Sequence, residues 1–197
     1  MTYNVKKTVC MCIKPKQMKT LRVPKVVLNG NTLTWTNKHK YLGVIIKDNK
    51  SDSEDISREL RAIYARGNLI LRKFHKCAID VKIYIFKTYF SNCYCNQLWC
   101  NYILQDLTKV KTAFNNIFRL LMRIPRAPGI SISKECVFMN ICSFDVSMRK
   151  SSASFRQRLF RSKNCLIMNV TGSHFFMFSS SINIYIYILC IYIYISD

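Results

Sequence analysis

The chain has 197 residues, 31 Lys and Arg against 10 Asp and Glu, a formal net charge of +21, and half of its residues are apolar. That apolar content suffices for one sizeable core or two small ones and excludes a disordered basic tail. A cationic surplus of this size in an aromatic-rich chain is the electrostatic footprint of a protein that tracks a phosphate backbone, the plain alternative being a merely soluble basic protein.

The first ten residues carry Lys6 and Lys7 and no apolar signal core or small-residue cleavage site, so the ten cysteines are read as reduced thiols of an intracellular protein, in cytoplasm or nucleus. Residues 4–13, NVKKTVCMCI, suit a strand ended by Lys14 and Pro15. In VVLNGNTLTW the Asn29-Gly30 pair is suited to the positive φ angles of a tight hairpin turn between two short strands. Residues 41–46 read as the next strand, with Gly43 marking a bulge or a close approach to the backbone. Residues 1–47 are therefore expected to form a small antiparallel sheet.

The period changes at Ser51. Ser51 and Glu54 match a capping box, and Asp52, Glu54 and Asp55 put negative charge on a helix N-terminus. Ile56, Leu60, Ile63, Gly67, Ile70 and Phe74 then recur in steps of four and three, a core-facing stripe, with Arg58, Arg61, Arg72 and Lys76 expected on the far side. A second helix is expected from Asp80 through residues 81–102, apolar nearly all round and so largely buried. A third begins near Asp106, with Leu107, Val110, Phe114, Ile117 and Leu121 inward and Lys109, Lys111, Arg119 and Arg123 outward, until Pro125, Pro128 and Gly129 stop it. The expected fold is α+β: the sheet, a three-helix bundle over residues 48–124, a basic helical segment over 125–165 and a low-complexity tail over 166–197.

All 31 cations and nine of the ten acids lie in residues 1–163, a net +22, and the tail ends in INIYIYILCIYIYI. Its period of two suits a strand, its apolar length a membrane tail anchor, and its composition a translated A/T dinucleotide repeat; the last is favoured, and any of them is an aggregation hazard. The anchor underlies the alternative reading of the chain as a small membrane-tethered basic protein.

No catalytic constellation emerges. Asp52, Glu54, Asp55, Asp80 and Asp106 fall at helix starts, where capping accounts for them, and Asp48 is a lone loop carboxylate. His39, His75 and His174 are scattered, and no glycine-rich phosphate loop is present. Cys93, Cys95 and Cys100 lack the spacing of a zinc site and are read as buried apolar thiols, as are Cys10 and Cys12.

The order NVKKTVCMCIKP, then KYLGVIIKDN, then an acid-started helix, then LW and a helix ending in RIPR resembles the C-terminal part of reverse transcriptases of non-LTR retrotransposons, over about residues 4–164. The resemblance implies a palm remnant with a primer grip followed by a thumb. It assigns Lys7 to the approach of the incoming phosphates and Tyr41, Leu42, Gly43 and Val44 to the primer backbone, with Arg58, Arg61, Arg72, Lys76, Lys109, Lys111, Arg119 and Arg123 as thumb cations. The implied partner is an RNA-DNA hybrid or DNA duplex, held through its backbone. The family's aspartate pair has no counterpart in this sequence, so the expectation is a truncated fragment with no catalytic residue, metal site or cofactor, although the parent family uses magnesium.

Overall fold

The computed structural model describes residues 8–13, 24–90, 93–165 and 167–168. Lys7 and the Ile-Tyr tail lie outside them. The architecture is α+β, with strands confined to the first 47 residues and five α-helices after them among the described residues.

Asn29 and Gly30 take φ of 49° and 76°, the mirror-image turn that matches the twist of a hairpin. They join β2 (Val27–Leu28) to β3 (Asn31–Thr32). The expected strand over residues 41–46 is instead interrupted. Leu42 and Gly43 take φ of 45° and 84° and form the turn of a second hairpin between β5 (Lys38–Tyr41) and β6 (Val44–Lys47), with Tyr41 opposite Val44. The single antiparallel sheet is also corrected. β1 (Val9–Cys10) pairs in parallel with β4 (Thr34–Trp35), so the described residues form three separate two-stranded pairings. Local turns make the two hairpins, whereas the parallel pair joins segments that no tight turn can connect. Between β4 and β5 the Thr36 hydroxyl donates to the Lys38 carbonyl at 2.6 Å and bends the chain out of one ladder into the next.

Helix α1 spans Ser53–Phe74 and buries Ile56, Ile63, Gly67 and Ile70 along the expected stripe. Its principal partner is α3 (Leu104–Met122), which buries Val110, Ala113, Phe114, Ile117 and Leu121. Gly67 lets the two helices meet at close range: a Cβ there would lie 2.5 Å from Ile117 Cδ1 and 2.8 Å from its Cγ1. Helix α2 is shorter and more one-sided than expected. It spans Ile79–Phe90, buries Ile85, Phe86 and Phe90, and leaves Val81, Tyr84 and Tyr89 exposed. Cys95, at φ 58°, turns the chain into a short 3-10 segment, Asn96–Leu98, in place of the continued helix. Phe86 stacks on Phe90 at 4.9 Å and meets Phe114 and Phe118 edge-on at 5.0 and 5.1 Å, the geometry that ring quadrupoles favour.

The basic segment after Pro125 forms α4 (Ile132–Phe138) and α5 (Phe144–Arg161). Ile132, Cys136, Ile141 and Phe144 join the same apolar cluster as α1 to α3. No helix among the described residues is long and apolar enough to cross a membrane.

Candidate nucleic-acid interface

The carboxylates at the start of α1 are structural anchors rather than caps. Asp55 is fully buried and accepts four hydrogen bonds. The Ile45 N–H and the Arg58 Nε–H reach Oδ1 at 2.9 and 2.7 Å, and the Trp99 indole N–H and Arg58 Nη2 reach Oδ2 at 2.9 and 3.3 Å. That fills the acceptor capacity of a carboxylate. Glu59, also fully buried, accepts from Arg58 at 3.2 Å and Arg66 at 2.6 Å. Asp52 accepts the Cys100 and Asn101 backbone N–H groups, both at 2.7 Å. One helical turn thus clamps hairpin β5–β6 on one side and the Trp99 segment on the other. The Ser51–Glu54 capping box does not form: the N-cap position falls on Asp52, the Ser51 N–H donates to Asn49 Oδ1 at 3.0 Å, and Glu54 pairs with Lys47 at 2.9 Å and Lys38 at 3.3 Å. Those lysines hold the Glu54 carboxyl below its usual pKa.

A clue to this was present in the sequence. Asp52, Asp55 and Glu59 follow the same three-and-four spacing as Ile56 and Ile63, so they share the buried stripe, and Arg58 and Arg66 stand at the right offsets to meet them.

Arg58 is accordingly corrected from an outward cation to an internal one, its side chain 18% exposed. Burial pulls its pKa down, and the Asp55 and Glu59 carboxylates together more than offset that, leaving it above the ordinary value. Its guanidinium also lies 5.7 Å from the centre of the Tyr94 ring, within cation–π range. Tyr94 in turn donates its hydroxyl to the Leu42 carbonyl at 2.7 Å. Its pKa is raised, first by Cys95 beside it, so the phenol remains a donor at neutral pH. The same ring approaches Gly43 so closely that a Cβ there would lie 3.1 Å from Cε1, the close approach expected at that glycine.

Hairpin β5–β6 is therefore held at its tip as well as along β6. Leu42 stands at that tip, 65% exposed, while Val44 is buried and Tyr41 half-buried. Of the four residues assigned to the primer backbone, Leu42 and the Gly43 backbone are the ones so presented; Val44 faces the core.

Of the remaining cations, Arg61 and Arg72 lie exposed on α1, about three turns apart and on nearly the same side. Lys76 is exposed but falls beyond the end of the helix. The expected outer face of α3 is largely engaged within the protein. Lys109 pairs with Asp106 at 3.1 Å and Lys111 with Asp145 at 2.6 Å. Arg119 donates to the Pro125 and Ile130 carbonyls, tying down the loop after α3, and Arg123 donates to the His75 carbonyl. Lys73, beside Arg72, is exposed as well and adds a further cation to this end of α1.

Cys93 is buried, as expected, and burial pushes its thiol to about 12. Cys95 is half-buried and Cys100 exposed, because the helix expected over 81–102 ends before it reaches them; Cys10 and Cys12, in and just after β1, are also only half-buried. No group of three or more His, Cys, Asp or Glu among the described residues is placed to hold a metal ion. The buried carboxylates do not fit a magnesium pair either, since N–H donors already occupy them. No family model, curated protein or solved structure matches this chain.

Proposed function

We propose that this chain binds an RNA-DNA or DNA duplex through its backbone, as the primer-grip and thumb portion of a non-LTR reverse transcriptase, and does not polymerise on its own. The observation that carries the reading is Leu42. A leucine in the left-handed region costs about 1–2 kcal/mol over a residue suited to it. Here it is held there, exposed, by a hairpin fastened to α1 through Asp55 and to Tyr94 at its tip. Strain kept at an exposed tip by surrounding structure is a mark of a functional contact. The YLGV sequence that supplies the turn is also the segment that resembles a primer grip. Arg61 on α1, and Arg72 and Lys76 at and just beyond its C-terminal end, are exposed and supply phosphate contacts without base reading.

The test is fluorescence anisotropy with a labelled RNA-DNA hybrid from 50 to 200 mM salt. Replacing Arg61, Arg72 and Lys76 with Gln is expected to weaken all duplex sequences alike. It should flatten the slope of log affinity against log salt by roughly 2.7 units, at ~0.9 per lost phosphate contact. Arg58→Gln, by contrast, is expected to lower stability. An unchanged slope in the triple variant would end the duplex reading of this surface.

A further inference from the structure

Between α5 and the wall formed by α1, α2 and residues 93–97 runs an open groove of about 790 Å³. Its chemistry is polarised. Arg66, Lys150 and Arg158 line it, no carboxylate does, and Tyr89 and Tyr94 stand on its opposite wall. The α5 side is a stripe at helical spacing in which Ser147, Ser151 and Ser154 accompany Lys150 and Arg158, where an amphipathic helix packed on a core would place apolar residues. Tyr89 is 53% exposed. Of the Arg66 donors only Nη2 is bonded, to Glu59. Two buried side-chain polar atoms among the described residues lack a hydrogen-bond partner: Nε of Arg66, which lines the groove, and Oδ1 of Asn96, which does not line it but sits between the lining residues Cys95 and Gln97 in sequence. Buried polar groups are nearly always paired, so this wall is built less for its own stability than the rest of the fold.

We infer that this groove binds single-stranded nucleic acid, with phosphates on Lys150, Arg158 and Arg66 and a base stacked on Tyr89. A cleft of this volume is of small-ligand size and admits a base with its phosphates, not a duplex. Cations that track a backbone beside aromatic faces form the general single-strand platform, tolerant of sequence because every base has a π-face. The groove adjoins the hairpin tip, since Tyr94 lines it while bonding the Leu42 carbonyl. The inference stands apart from the duplex reading, because it rests on different side chains.

The experiment measures binding of the full chain to labelled oligothymidylate and, separately, to the RNA-DNA hybrid. The variants are Lys150→Gln with Arg158→Gln, Tyr89→Ala alone, and the Arg61, Arg72 and Lys76 triple. All are exposed positions, and circular dichroism confirms folding. The Lys150/Arg158 pair is expected to flatten the single-strand salt slope by about 1.4 units, at ~0.7 per phosphate. Tyr89→Ala is expected to weaken oligothymidylate about tenfold, in keeping with one lost base stack. Both should leave the hybrid unchanged, whereas the triple should do the reverse. Oligothymidylate binding that is absent from the parent chain, or unmoved by both groove variants, overturns the inference whatever the duplex result. So does an equal loss for both ligands, which would mark the groove as one part of a general polyanion surface.

Discussion

Gly67 sets the distance between α1 and α3, and the reason is steric rather than conformational. A methyl at this position would meet Ile117 at 2.5 Å, with Ile117 Cγ2 a further 3.3 Å contact. Ile117 is itself nearly fully buried, and its β-branched side chain has few rotamers into which to retreat. Alanine is worth up to ~1 kcal/mol over glycine inside a helix, but overpacking a core costs about 1–3 kcal/mol. The overlap extends from the terminal Cδ1 to Cγ1, which is bonded to Cβ, so turning the end methyl away does not clear it, and overpacking wins. Gly67→Ala is expected to lower stability by about 1–2 kcal/mol in urea unfolding. Ile117→Ala removes every atom the new methyl would strike, so its usual cost of about 2–5 kcal/mol should shrink in the Gly67→Ala background. A coupling energy below roughly 0.5 kcal/mol between the two changes would show that the helices simply move apart.

At the scale of one element, hairpin β5–β6 separates what is good for folding from what is good for binding. Its turn has the same two positive-φ positions as Asn29-Gly30, but Leu42 occupies the first. Leu42→Asn suits the left-handed region, so it is expected to raise stability by about 1 kcal/mol. It also removes the exposed apolar tip, and duplex affinity is expected to fall. Thermal denaturation and anisotropy on the same variant check both, and a more stable protein that binds as before would strip the tip of its role. This turn was also the least legible element in the sequence. Asn-Gly announces a hairpin, whereas Leu-Gly inside YLGVII reads as a strand, because β-branched neighbours outweigh a single glycine. The stripes of α1 and α3 were legible because burial on one side enforces a helical period over many residues. The parallel pairing of β1 with β4 was not, since it depends on a contact between distant segments. The buried acids were misread for a related reason: a carboxylate on the first turn of a helix suits the dipole whether it faces water or the core. Only its partners, Ile45 N–H, Trp99 and Arg58, show which.

Over the whole molecule, electrostatics works on two separate levels. In the internal pairs of Asp55 and Glu59 with Arg58 and Arg66 the carboxylates are fully buried and the guanidiniums 18% and 32% exposed, so mobile ions screen them less than they screen surface charges. Among the described residues most of the exposed charged side chains are cationic, in keeping with the +21 formal charge of the chain. This excess is spread over α1, α5 and the loops, with local relief where Lys38 and Lys47 share Glu54 and Lys111 meets Asp145. Self-repulsion of that excess destabilises the compact state. Screening contracts from about 30 Å at 0.01 M salt to about 3 Å at 1 M, so added sodium chloride relieves the repulsion while leaving the buried pairs intact. The melting temperature is therefore expected to rise by several degrees between 0.02 and 0.5 M salt, at roughly 2–4 °C per kcal/mol for a chain of this size. Circular dichroism melts check this, and a melting temperature that falls with salt would mean that surface ion pairs, not the buried ones, hold the fold. Nucleic-acid affinity must move the other way, because the same screening removes the gain from counterion release. Stability and binding with opposite salt dependences establish that the loss of binding at high salt is electrostatic and not unfolding.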